Sequence, residues 1–139
     1  MESVSVKFWA ILIGLSIFSY AEVWGADWKL YYRDDTRIRY YDAERITRPS
    51  KDIVRVWIKF EYTDKGAIEM VKNYGKKYEN ISQQIALEEI NCLERRWRNL
   101  SLTHYSKEGK VIFSGSHEGQ WNLIVSGSVG EFLHEAVCK

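Results

Sequence analysis

The chain has few cysteines, almost no net charge and no hydrophobic run long enough to cross a membrane. Lys and Arg number 20 against 19 Asp and Glu, so the formal net charge is +1. A chain so close to neutrality lacks the strongly basic face that nucleic-acid binding requires. The two cysteines, Cys92 and Cys138, lack the close spacing of zinc ligands or of a CxxC redox motif. The sequence therefore favours neither a nucleic-acid-binding protein nor a metalloprotein.

Motifs that carry catalysis are missing as well. The three histidines, His104, His117 and His134, are isolated and match no HExxH pattern. The glycine-preceded serines Ser116 and Ser128 fit a turn and a helix start rather than the strained GxSxG turn of a nucleophile. No glycine-rich phosphate loop occurs. We therefore expect no enzyme and no cofactor or metal.

The first 21 residues have the three-part pattern of an export signal. Lys7 precedes an apolar run of eleven residues, 8–18, and Ser19-Tyr20-Ala21 supplies the small residues that a signal peptidase reads. A membrane span needs about 20 apolar residues, so a cleaved signal peptide is favoured over an uncleaved anchor. Residues 1–21 are thus predicted to be removed, which places the protein in the periplasm or outside the cell.

Cleavage is expected after Ala21, because the alternative after Ala26 would put Trp24 where a small side chain is needed. The remaining residues, 22–139, have the size of a single domain. Two cysteines in an exported chain usually pair. A bridge between Cys92 and Cys138 would stabilise the fold by about 4 kcal/mol in the chain-entropy model.

Periodicity predicts an α+β domain built on an antiparallel sheet of about six strands. The clearest strand, 53–62, places Val54 and Val56 on one face and Trp57 and Lys59 on the other. Such alternation is typical of a sheet with one buried and one wet face. The predicted strands are 28–33, 37–42, 53–62, 82–91, 96–105 and 110–114, and Pro49 is expected to end the segment between the second and the third.

Two helices are predicted, one within the chain and one at its end. The first runs from Asp64, a possible cap, to Gly75. The second begins with a capping box of Ser128 and Glu131, leaves His134 on its solvated polar side, and packs on the sheet through an apolar stripe. The stripe comprises Val129, Phe132, Leu133, Ala136 and Val137, and the last turn is expected to unwind so that Cys138 reaches Cys92.

One segment has the composition of a protein-binding surface. Arg95, Arg96, Trp97 and Arg98 combine arginine with tryptophan, which is typical of binding hot spots. The alternative is an ordinary sheet edge protected by charge. Trp97 could also face the core, because the pattern of this strand does not decide between its two faces. The basic cluster of Lys72, Lys76 and Lys77 is expected to be a solvated end of the first helix.

Several segments, in order along the chain, resemble the surface-adhesin protein E family of Gram-negative bacteria. They are Gly25-Ala26-Asp27-Trp28, Tyr40-Tyr41-Asp42, Ile53-Val54-Arg55-Val56-Trp57, the strand ending at Cys92, the Trp121 segment, and the tail from Gly127-Ser128-Val129-Gly130-Glu131 to Val137-Cys138. The resemblance implies an antiparallel sheet with a C-terminal helix held to it by a disulfide between the equivalents of Cys92 and Cys138.

The family's members bind extracellular-matrix and serum proteins such as laminin and vitronectin, and they can form dimers. The resemblance therefore implies a non-enzymatic binding protein with an unidentified protein partner and a possible homodimer. Those adhesins are lipid-anchored through a cysteine at the mature N-terminus, whereas no cysteine follows the leader here, so a soluble periplasmic or secreted product is expected. The alternative is a periplasmic accessory domain that binds a small ligand such as haem or supports an envelope complex.

Overall fold

A computed structural model describes residues 26–139. The predicted signal peptide at residues 1–21 lies outside the described residues. Eight strands form one sheet: β1 Trp28–Arg33, β2 Arg37–Asp42, β3 Thr47–Ser50, β4 Ile53–Tyr62, β5 Ile81–Asn91, β6 Arg96–Ser106, β7 Val111–Ser116 and β8 Asn122–Leu123. The helices are α1 Asp64–Tyr74, a short 3-10 helix Lys76–Tyr78, and α2 Val129–Val137.

The sheet has the order β1-β2-β4-β5-β6-β7, and every pairing in it is antiparallel. This confirms the predicted α+β fold. Two short strands were not predicted. β3 pairs with β4 only at Thr47 and Ser50, so Pro49, which has no amide hydrogen to donate, lies between the paired positions. β8 has two residues beside β6, which is too short for any periodicity to reveal.

Both helices pack on the same face of the sheet, which we call the helix-covered face. Leu133 and Val137 of α2 join a buried cluster with the inward side chains of β4, Val54, Val56 and Ile58. At the other end of this face, Met70 of α1 packs against Tyr78 and Ile81. The alternation of β4 therefore puts its apolar residues under the helices, as the sequence predicts.

Helix α1 is positioned by a cap and by one glycine. The cap is Thr63 rather than the predicted Asp64: the Thr63 hydroxyl accepts a hydrogen bond from the amide of Gly66 at 3.1 Å and donates one to the carbonyl of Asp35 at 2.6 Å. A Cβ atom at Gly66 would lie 2.0 Å from the carbonyl oxygen of Thr36. Only glycine therefore allows the first turn of α1 to approach the β1–β2 connection this closely.

Helix α2 differs from its prediction at three side chains. The Ser128 hydroxyl donates to the carbonyl of Val125 at 2.5 Å and makes no cap hydrogen bond, so the predicted capping box is wrong. Phe132 is 45% exposed and rests on the ring of Tyr32, so it lies at the edge of the core. His134 is not simply solvated, because its Nε2 lies 3.0 Å from the carbonyl oxygen of Cys92.

The two cysteines form the expected disulfide. Helix α2 ends at Val137, and Cys138 follows as its C-terminal cap. The bridge joins the end of α2 to the residue after β5, and the hydrogen bond between His134 and the carbonyl of Cys92 lies beside it. The tail is thus fixed to the sheet by one covalent and one polar contact in addition to its apolar side chains.

Candidate functional site: the open face of the sheet

The opposite face of the sheet carries a cluster of half-buried aromatic side chains. We call this side the open face, because neither described helix packs on it. Trp57 and Lys59 lie on it in β4, in alternation with the buried valines. The aromatic residues of the open face are Trp28, Tyr40, Trp57, Tyr105 and Trp121, and each is half-buried. An uncovered face so rich in large rings is uncommon on a surface that only meets water.

Cations lie against these rings at two places. The ammonium of Lys59 is 5.0 Å from the centre of the Trp28 ring and 4.7 Å from that of Tyr40. The guanidinium of Arg98 is 4.4 Å from the ring of Trp121. All three distances are within the range of cation–π attraction. These contacts hold long side chains in place, so a partner that meets them finds a largely ordered surface.

A pocket of about 270 Å³ opens on this face between Trp28 and the middle of the sheet. Its walls include Trp28, Trp57 and Tyr105, and its floor is the buried Ile85. Asp42 also lines it: one carboxylate oxygen accepts from the amides of Asp27 and Glu44, and the other lies 3.6 Å from Nε of Arg45. The pocket is therefore lined by aromatic rings and by the ion pair of Asp42 and Arg45.

Glu89 organises the charges at the centre of the open face. Its carboxylate is buried and forms salt bridges of 2.8 Å with both Arg55 and Arg98. Burial alone would raise the pKa of Glu89, but the hydrogen bonds from Arg55 and Arg98 lower it. Arg98 also lies 3.6 Å from the exposed carboxylate of Glu118, so two carboxylates balance the two guanidinium groups of this cluster.

The four residues predicted as a binding patch lie on different sides of the sheet. Arg95 pairs with Glu131 of α2 at 2.7 Å. Trp97 packs against the core on the helix-covered face, whereas Arg98 is on the open face with Glu89. Arg96 is exposed on the same side as Arg98. The structure thus keeps Arg96 and Arg98 together and separates them from Arg95 and Trp97.

The alternation of β4 predicts that Trp57 lies on the outer side of its strand. It does not predict that the other rings lie close to Trp57. Trp28 and Tyr40 come from β1 and β2, and Tyr105 comes from β6. Their proximity depends on the strand order and register, which periodicity does not give. The available signal was the number of aromatic residues that alternation left on the polar side.

Within residues 26–139, no cluster of three or more His, Cys, Asp or Glu side chains is arranged to hold a metal ion. Over the same residues, no helix combines the length and the apolar character that a membrane crossing requires.

The fold and this face define a small α+β domain in which the helices of residues 26–139 cover one side of the sheet and not the other. The model of the surface-adhesin protein E family matches residues 28–139, and the chain belongs to this family. The resemblance drawn from the sequence is thus confirmed. No curated protein and no solved structure matches the chain. Membership indicates an adhesin role and a surface or exported protein.

Proposed function

We propose that this protein is an exported, non-enzymatic adhesin that recognises another protein with the open face of its sheet. The observation that carries the proposal is the set of half-buried rings on this face, three of them tryptophans, with Lys59 and Arg98 stacked on them. Tryptophan, tyrosine and arginine are the residue types that contribute most to the free energy of protein–protein binding.

The rigidity of the face supports this role. Strands β4, β5 and β6 pair along most of their length, and Arg98 is fixed by both Glu89 and Trp121. Side chains that are already ordered lose little conformational entropy when a partner binds. The exposed guanidinium of Arg96 on this face favours a partner segment that carries a carboxylate beside apolar side chains.

The resemblance to the family supports a protein partner outside the cytoplasm as the first to test. Laminin and vitronectin, which the resemblance implies, are the first ligands to test, and the periplasm or the medium is the proposed location. Arg96 and Arg98 belong to the proposed interface. Arg96 is the better residue to change, because removing Arg98 would also leave the buried carboxylate of Glu89 with one partner fewer.

The experiment compares single variants on the two faces, using surfaces coated with laminin or with vitronectin. Trp57→Ala and Arg96→Ala change the open face, and Phe132→Ala removes an exposed ring from the helix-covered side. We expect Trp57→Ala to weaken binding about ten-fold or more, a loss of about 1.4 kcal/mol, and Phe132→Ala to leave it unchanged. Equal binding by Trp57→Ala and the unaltered protein would contradict the proposal.

A further inference from the structure

A separate cavity of about 420 Å³ lies on the helix-covered face, between α1 and the sheet. Met70 and Tyr78 are buried at its floor, whereas Tyr74, 63% exposed, and Phe113, 43% exposed, stand at its mouth. The walls are mainly aromatic and aliphatic, with Tyr62 and Leu102 contributed by the sheet. Its volume is within the range of small-molecule sites.

Among the residues that the structure describes, the only formally charged side chains lining this cavity are two cations, Arg37 and Lys77. The guanidinium of Arg37 lies 5.4 Å from the ring centre of Tyr62 and 5.7 Å from that of Phe60. Its buried Nε has no hydrogen-bond partner in the described part of the chain. Within residues 26–139, neither Arg37 nor Lys77 forms a salt bridge with a carboxylate. The neighbouring Arg39 differs, because it is paired with Asp34 at 2.8 Å.

His104 lies inside the cavity and is affected by the same two positive charges. Its ring is 6% exposed, with Nε2 2.9 Å from Oε1 of Gln84 and Nδ1 3.0 Å from the hydroxyl of Tyr78. Burial, together with the charges of Arg37 and Lys77, lowers the pKa of His104 to about 4. The ring is therefore neutral at pH 7, and neither cation is salt-bridged to a carboxylate of residues 26–139.

We propose that this cavity binds a small amphiphilic carboxylate. The carboxylate would meet the guanidinium of Arg37, whose planar donors match its two oxygens, with Lys77 adding a second positive charge at the mouth. The apolar body of the ligand would lie between the aromatic walls and Leu102. This site is on the opposite side of the sheet from the proposed adhesin surface, so either proposal can fail alone.

The test uses three probes that share one chain length, namely octanoate, octanol and octyltrimethylammonium. Each probe is titrated by calorimetry into the disulfide-bonded protein, in the form that remains after processing by the host cell. Octanoate is expected to bind at least ten-fold more tightly than octanol and the cation. The resonances of the His104 ring should also show a raised pKa when octanoate is bound, because a nearby anion favours the charged imidazole.

Matched variants show which positive charge binds the carboxylate of octanoate. Arg37→Gln should weaken octanoate binding about ten-fold, and Lys77→Gln should weaken it several-fold. Lys72→Gln, an equal change of charge at an exposed position of α1 that does not line the cavity, should have no effect. If Arg37→Gln does not fold, Lys77→Gln at the exposed mouth still tests the proposal. Equal binding of octanoate and octanol, no binding of octanoate, or equal losses in Lys77→Gln and Lys72→Gln would overturn it.

Discussion

Two titratable side chains on the helix-covered face, the half-buried Glu88 and the buried His104, should have opposite effects on stability in mildly acidic solution. Glu88 faces a cavity of about 170 Å³ under α2, beside Tyr31 and Trp97, and makes no salt bridge with any of residues 26–139. Burial raises its pKa from 4.5 to about 7. His104, under α1, is held neutral because burial and two nearby cations lower its pKa from 6.5 to about 4.

The sign of each effect follows from proton linkage. The contribution of Glu88 to stability is complete below pH 4.5, which is its pKa in the unfolded chain. This contribution is lost as the pH rises through 7. The contribution of His104 is complete above pH 6.5 and is lost as the pH falls toward 4. Each shift corresponds to at most about 3 kcal/mol, so the two slopes nearly cancel between pH 4.5 and 6.5.

Single substitutions should separate the two slopes. Glu88→Gln is expected to raise the free energy of unfolding at pH 8 by up to about 3 kcal/mol and to leave a stability that falls as the solution is acidified from pH 6.5. His104→Gln should give the reverse slope, with stability that rises from pH 7 down to pH 4.5. The comparison uses slopes, because His104→Gln also loses the hydrogen bonds to Gln84 and Tyr78.

The assay is urea denaturation followed by tryptophan fluorescence at half-unit steps of pH from 4.5 to 8. The unaltered protein should give a nearly flat profile, and the two variants should give slopes of opposite sign. Parallel profiles for all three proteins would refute the reasoning, because they would show that neither group changes its protonation equilibrium on folding.

Three further predictions concern stability and are checked by denaturant midpoints. Gly66→Ala should cost several kcal/mol, because its Cβ would lie 2.0 Å from a backbone oxygen, whereas Gly109→Ala, in open space at a φ of +82°, should cost about 1 kcal/mol. Cys138→Ser opens a bridge that spans 46 residues and should cost about 4 kcal/mol; an unchanged midpoint would show that the tail does not contribute. Phe132→Ala should cost less than the 2–5 kcal/mol expected for the buried Leu133→Ala, and equal losses would contradict the placement of Phe132 at the edge of the core.

The main strands could be predicted because their residues alternate with a period of two, and this signal is local. In β4, the buried Val54, Val56 and Ile58 are separated by polar or amphipathic residues, so the strand and its faces follow from the sequence. Helix α1 could also be predicted from its sequence pattern, but the structure places its N-terminal cap one residue earlier than predicted. Asp64 and Thr63 are both good caps, and the choice depends on the contact of Thr63 with the distant carbonyl of Asp35.

The candidate site was harder to predict because it depends on long-range pairing. Trp97 faces the core because it lies opposite Ile90 in the register of β5 and β6, and a register shift in the same pair interrupts the alternation near Leu100. No local pattern contains that shift. The rings of the open face are likewise brought together from separate strands, so a sequence pattern reveals each residue without revealing the cluster.

The most direct test of the proposed adhesin role is site-specific photo-crosslinking on both sides of the sheet. A photoreactive amino acid is placed at Tyr40 or Trp121 on the open face, and at Tyr74 or Phe132 on the helix-covered side, and the protein is presented to laminin or vitronectin. All four positions are replaced singly in an otherwise unaltered chain. We expect adducts with the partner from Tyr40 and Trp121 alone; adducts from only Tyr74 and Phe132 would contradict the assignment of the open face as the binding surface.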